Sequence, residues 1–195
     1  MSEHRRMNAR MLTTTALLGA ISSILLFLNF ALPIFPSFIK MDVSDAPALI
    51  ASFALGPQYG AFVELVKNLI NLTHTTTGGI GELANFTIGC AYVLPAGLIY
   101  RRNKTLRTAV RAIALGVVSM TVVAALMNYF VLIPLYSKLM PLETIISMYQ
   151  AINPYADTLG KVVLMSIVPF NILKGTITGI LTFALYKRLS PILKF

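Results

Sequence analysis

The chain has 195 residues, of which 56% are hydrophobic and only 12% charged, with a mean hydropathy of +0.76. Soluble domains carry about 25% charged residues, so this composition excludes a soluble globular protein and predicts a single all-α integral membrane domain over residues 1–195. The formal charge of +9 does not signal nucleic acid, because the basic residues flank apolar runs instead of forming a stripe on a soluble fold. The one cysteine, Cys90, lies in an apolar segment, and His4 and His74 are isolated. Neither a disulfide nor a cysteine-based metal centre can be built from that set within one chain.

The start of the chain, Arg5, Arg6 and Arg10 followed by apolar residues, has the look of a secretory signal. The apolar run over 11–39 is too long for one and no A-x-A site closes it, so it reads as a mature helix. That first helix is expected over about 12–32, ended by Pro33 and Pro36. Ala16 and Ala20 form a small-xxx-small pair beside Gly19 and Ser23, a face suited to close helix approach within the chain or on a partner. The loop over 35–45 carries Lys40, Asp42 and Asp45. Asp45, two residues before Pro47, reads as a helix cap. Asp42 has no such duty and stands as a ligand candidate.

Two short helices follow, over about 46–55 and 58–72, separated by the turn signal Gly56-Pro57. Glu64 and Lys67 are spaced i,i+3, which predicts mutual pairing. Short, Gly/Pro-interrupted apolar segments often line a cavity in transport proteins. After a Thr/Gly-rich loop, a fourth helix is expected over about 81–100, with Glu82 and Asn85 on one face of its first turn. Glu82 there suits the helix dipole, whereas Asn85 has no obvious capping role. A fifth helix is expected over about 113–136, kinked or ended at Pro134, with Asn128 its sole amide. The connection over 137–158 is amphipathic and has room for a surface helix. The last apolar run, 162–186, holds Gly175 and Gly179 as a G-x-x-x-G suited to close packing.

Basic residues gather before the first helix, between the fourth and fifth (Arg101, Arg102, Lys104, Arg107, Arg111), and after the last (Lys187, Arg188, Lys194). By the positive-inside rule this predicts six crossings with both termini cytoplasmic, and places the loops at 33–45, 73–82 and 137–158 outside.

Lys174 is the only charge in the run 162–186, and Asn171 shares its helix face. A charge at membrane depth costs several kcal/mol and so faces a protein interior or a cavity. The pair therefore serves either a ligand or a structural hydrogen-bond network. The chain has no Ser-His-Asp set, no H-E-x-x-H and no G-x-x-x-x-G-K-[ST] phosphate loop. That predicts no enzyme and no ATP hydrolysis by this chain. Amides, one ammonium and scattered carboxylates among aromatics suit reversible recognition of a small polar heterocycle.

Several motifs in order carry a resemblance. Lys40-Met41-Asp42-Val43-Ser44-Asp45-Ala46-Pro47, Phe53-Ala54-Leu55-Gly56-Pro57, Val66-Lys67-Asn68, Gly81-Glu82-Leu83-Ala84-Asn85-Phe86, Asn128-Tyr129-Phe130 and Pro169-Phe170-Asn171-Ile172-Leu173-Lys174-Gly175 resemble the riboflavin-binding S-components (RibU type) of energy-coupling factor (ECF) transporters. The resemblance runs from the first helix to the last. It implies the S-component fold in a prokaryotic cell membrane and capture of riboflavin at the extracellular side. It implies delivery with a transmembrane coupling subunit and two cytoplasmic ATPase subunits, in contact with membrane lipid and without nucleic acid. No cofactor is implied: riboflavin is the transported ligand.

Residue by residue, the resemblance implies ligand contact by Asn128, Asn171 and Lys174, and beside them Lys40, Asp42, Glu82, Ala84 and Asn85. It favours Ala16 and Ala20 as the face that meets the coupling subunit. Lys40 departs from the small polar residue expected there, which would bear on tolerance for the phosphorylated flavin FMN. The pyrimidine edge of a flavin offers one N–H between carbonyls, which an Asn amide can match, while a Lys donates to a carbonyl or ring nitrogen. Asp42, Glu82 and Asn85 would suit ribityl hydroxyls. The alternatives weighed are an S-component for another vitamin or flavin analogue, a stand-alone ion-coupled transporter using Glu64 or Asp42, and a ligand-free scaffold.

Overall fold

The computed structural model describes residues 9–75 and 77–189, the last three by backbone alone, so Arg5, Arg6 and Lys194 lie outside the described residues. In chain order these form α1 (Ala9–Phe27), a two-stranded antiparallel hairpin of β1 (Phe30–Ala31) and β2 (Lys40–Met41), α2 (Asp45–Ala54), α3 (Pro57–Leu72), α4 (Ile80–Arg102) and α5 (Leu106–Met127). A π turn (Asn128–Leu132) joins α5 to α6 (Ile133–Tyr136). After the surface helix α7 (Leu142–Gln150), α8 (Leu159–Val162) runs through a second π turn (Val163–Ile167) into α9 (Val168–Leu189).

Among the described residues, four helical rods are long and apolar enough to cross a membrane: Ala9–Phe27, Ile80–Arg102, Leu106–Tyr136 and Leu159–Tyr186. Helices α2 and α3 are shorter. At about 1.5 Å per residue they rise roughly 15 and 24 Å, less than the hydrocarbon core of about 30 Å. α2 sits centrally, packed on α1, α3, α4 and α9, with its residues from Asp45 to Phe53 all buried. The outward faces of the long rods are apolar, as Leu17 and Ile24 of α1 and Leu115, Val118 and Val122 of α5 show. That is the surface hydrocarbon requires.

The chain ends its helices differently from a reading of apolar runs. α1 stops at Phe27 because the Asn29 amide donates to the Leu26 carbonyl (2.8 Å) and the chain turns into the hairpin, well before Pro33. The hairpin pairs Phe30 with Met41 and Ala31 with Lys40, so the expected end of the first helix and part of the loop after it form a short ladder instead. α5 begins at Leu106, not near Ile113, because Thr105 caps it by accepting the Thr108 N–H (3.2 Å). Its first turns carry the exposed Arg107 and Arg111, which an apolar window leaves out.

Both π turns have the same cause. Pro134 and Pro169 each follow a π turn by two residues. A helical proline lacks an N–H and presses on the carbonyl four residues back, here on Phe130 and Met165, in the middle of the two π turns. Each helix absorbs the strain by widening one turn: the N–H of Ile133 bonds the Asn128 carbonyl, and that of Val168 bonds the Val163 carbonyl.

Small residues bring the core helices together. Gly97 of α4 lies against the Ser52 hydroxyl and the Pro57 backbone, and Gly175 and Gly179 of α9 lie against Val117 and Ile113 of α5. The G-x-x-x-G therefore packs within the chain. Gly97→Ala would push a methyl into Ser52 and into backbone that cannot yield. We expect a loss of about 1–3 kcal/mol, read as a lowered unfolding temperature of the detergent-solubilised protein.

Candidate functional site

A cavity of about 680 Å³ opens among the hairpin loop, the N-terminal turns of α4, the two π-turn regions, α7 and α9. The size falls in the range of about 300–1,000 Å³ usual for small-molecule sites. Its wall is mostly apolar and aromatic, including Phe38, Ile88, Tyr136, Met148, Tyr149 and Phe170. Phe38 of the hairpin loop meets Tyr149 of α7 edge to face at 5.3 Å, and Phe170 of α9 meets Phe35 in the same way at 5.2 Å. Burial pushes the Tyr149 phenol above its ordinary pKa range, so it stands on the wall as a neutral donor.

The polar groups on the wall are few and come from distant parts of the chain. Lys40, Ala84, Asn85, Asn128, Asn171 and Lys174, all anticipated from the sequence, line it together. Asn128 and Asn171 are held alike. Each donates one amide N–H to the carbonyl four residues back, Asn128 to Ala124 (2.9 Å) and Asn171 to Ile167 (2.8 Å). Each keeps a second N–H and the side-chain carbonyl for a partner. In the N-Y-F stretch only Asn128 turns inward, while Tyr129 and Phe130 are exposed on the outer face. Lys40 is exposed at the rim.

Lys174 is fixed from two sides. Its ammonium donates to Asp42 (2.9 Å) and lies 3.5 Å from Asp45. An ammonium has three donors, so it retains capacity toward the cavity. Asp45 also accepts from Lys67 (2.5 Å), whose ammonium lies 2.6 Å from Glu64. The result is a ladder, Asp42–Lys174–Asp45–Lys67–Glu64, in which each group is at most 9% exposed. It joins the entry to α2, α3 and α9.

Two of the anticipated ligand residues are not on the wall. Asp42 is spent on Lys174 and on Ser44, whose N–H (2.9 Å) and hydroxyl (2.5 Å) it accepts. Glu82 accepts from Asn71 (3.0 Å), Thr75 (2.9 Å) and Thr77 (3.2 Å), tying the Thr-rich loop to the start of α4. The capping role expected for Asp45 is also corrected. Asp45 is itself the first residue of α2, its carboxylate pairs with two lysines, and it lines the cavity. The Glu64–Lys67 pair forms as the spacing predicts, and is fully buried. On α1, Ala16 and Ala20 are exposed, while Gly19 and Ser23 face inward, Gly19 against Val66 of α3. The two alanines thus do not serve packing inside the chain.

A family model described as the substrate-specific component of ECF transporters matches residues 10–186. This chain belongs to the family of ECF transporter substrate-specific components. The riboflavin transporter RibU of Staphylococcus aureus (strain TCH60) is 34% identical over all of this chain and 99% of its own. The riboflavin transporter FmnP of Bacillus subtilis (strain 168) is 27% identical over 95% of this chain and 94% of its own. A solved structure of the S component of a bacterial ECF transporter superposes with a TM-score of 0.75 at 34% identity, over 95% of this chain and 98% of that one. The protein is therefore a multi-pass cell-membrane transporter component with the S-component fold, and not an enzyme. The stand-alone ion-coupled alternative falls away.

The ladder makes a graded prediction. Lys67→Met leaves Asp45 and Glu64 short of a counter-charge and should cost about 3–5 kcal/mol. Lys161→Met breaks the exposed pair with Asp157 (2.6 Å, both side chains nearly half exposed) and should cost at most about 1 kcal/mol. Thermal unfolding of the two variants in one detergent reads the contrast.

Proposed function

We propose that this chain is the riboflavin-binding subunit of an ECF-type vitamin importer. The observation that carries the reading is the convergence of Asn128, Asn171 and Lys174 on one largely apolar cavity, in a chain similar to proteins named riboflavin transporters. Apolar walls and a few fixed polar groups suit a flat heterocycle. The two asparagines supply donor and acceptor to the pyrimidine edge, and Lys174 supplies a donor to a carbonyl or ring nitrogen. Asn85 and the Ala84 backbone border the same space and take the ribityl side. Asp42 contributes by holding Lys174, and Glu82 by holding Thr75 and Thr77.

In this reading α2 and α3 complete six crossings, both termini are cytoplasmic, and the cavity opens outward. Supporting it are the basic residues at Arg101, Arg102 and Arg107, at the end of the rods away from the cavity. Transport then needs a transmembrane coupling subunit and two cytoplasmic ATPase subunits, because the chain has no phosphate loop of its own. The exposed Ala16–Ala20 face of α1 is the docking surface for the coupling subunit, and the remaining apolar exterior meets lipid. Lys40 at the rim would meet the phosphate of FMN.

Riboflavin fluorescence, followed as purified protein is titrated in, reads capture directly. The wild type should quench it, and Asn171→Leu should fold normally yet bind about tenfold or more weakly, since a buried ligand group loses its partner. Undiminished affinity in that variant would remove Asn171 from the site. Quenching by another vitamin but not by riboflavin would change the ligand and keep the fold.

A further inference from the structure

The wall of the cavity is linked to α1 by an unbroken chain of buried hydrogen bonds. The Ser22 hydroxyl of α1 donates to the backbone carbonyl of Ser44. The Ser44 N–H and hydroxyl both donate to one oxygen of Asp42, at 2.9 and 2.5 Å. The other oxygen of Asp42 accepts from Lys174 at 2.9 Å, and Lys174 lines the cavity. Ser22 and Ser44 are completely buried and Asp42 is 5% exposed. We infer that Ser22 is a positioning residue for ligand capture, acting on Lys174 through Ser44 and Asp42. The inference rests on the reading above, in which Lys174 contacts the ligand.

The chemistry leaves the relay little slack. Both oxygens of Asp42 are engaged, so its carboxylate cannot rotate to follow Lys174 without leaving Ser44. Ser44 lies between β2 and α2 and has no helix of its own to fix it. Its carbonyl is pinned by Ser22, from a helix that otherwise takes no part in the cavity wall. Lys174 has a long flexible stem, and a binding group must be held within about 0.5 Å of its working position by its supporting shell. In a site shielded from water each of these bonds is stronger than it would be at a surface. Ser22 also stands two residues from Ala20, on the opposite, buried side of α1. The relay therefore ends directly behind the exposed Ala16–Ala20 face.

Asp45, itself paired with Lys67, holds Lys174 from its other side, so the relay aims the ammonium rather than keeping it in the fold. Loss of Ser22 should appear in ligand affinity more than in stability.

The test is a double-mutant cycle on riboflavin affinity, using the full chain in detergent and the fluorescence titration. Ser22→Ala should weaken binding about five- to tenfold, with the unfolding temperature of the ligand-free protein little changed. In a Lys174→Gln background the same substitution should add nothing, because the group it positions is gone. If Lys174→Gln does not fold, Asp42→Asn takes its place in the cycle, with the same expectation. Wild-type affinity in Ser22→Ala, or an equal loss in both backgrounds, would overturn the relay. If Lys174→Gln and Asp42→Asn both bind as tightly as wild type, the ligand role of Lys174 fails and the relay fails with it. An impaired Lys174→Gln beside an unaffected Ser22→Ala removes the relay alone.

Discussion

A lysine inside a membrane protein must be neutralised where it stands, and the centre of this structure follows from that requirement. Lys174, the seventh residue of α9, is largely buried, and two carboxylates come to it. One lies just after β2 and the other is the first residue of α2, and the second brings another lysine and a third carboxylate from α3. The hairpin, α2, α3 and α9 are thereby fastened at one level of the molecule. Two ammoniums shared among three carboxylates let each lysine be held from both sides. The same arrangement leaves Lys174 at the boundary between ion ladder and cavity. A residue that is structural on one side is free to be a binding group on the other.

The asparagines solve a related problem differently. A mid-membrane amide costs energy if left alone, and each here bonds the backbone of its own helix. That local bond covers part of the cost before any ligand arrives. It also fixes the amide plane, so the remaining donor and acceptor point in one direction. The cavity wall is pre-formed from groups that are each partly satisfied.

Much of this was legible in the sequence, for physical reasons. Lys174 and Asn171 stood out because hydrocarbon tolerates so few polar groups, and G-x-x-x-G because close packing demands small residues. What stayed hidden depended on distance along the chain or on local competition. Asp45 has the position of a helix cap, and nothing local reveals that Lys67 and Lys174 outbid the backbone for its carboxylate. Asp42 looked idle because its partner lies 132 residues away. Glu82 is engaged by Thr75 and Thr77 of the Thr-rich loop and by Asn71 at the end of α3, partners that its place in a first helical turn does not reveal. Helix starts at Leu106 and Leu159 were missed because polar first turns do not look apolar, although Thr105 and Thr158 mark them as caps. The hairpin, two residues to a strand, is too short for any periodicity. The π turns did leave a signal: a proline two residues beyond each.

Those wide turns carry a consequence for how such a molecule can vary. A regular helix locks its lipid face and its cavity face together, because every residue advances by the same angle. One wide turn inserts an extra residue and shifts the phase between the two ends of the rod. Residues before the turn can keep their register against the neighbouring helices while those beside it are rotated to suit a ligand. Two of the rods bordering the cavity, Leu106–Tyr136 and Leu159–Tyr186, have this adjustable joint, at its wall. The packing of the bundle and the shape of the cavity wall are therefore separate problems for the sequence, and a change in one need not disturb the other.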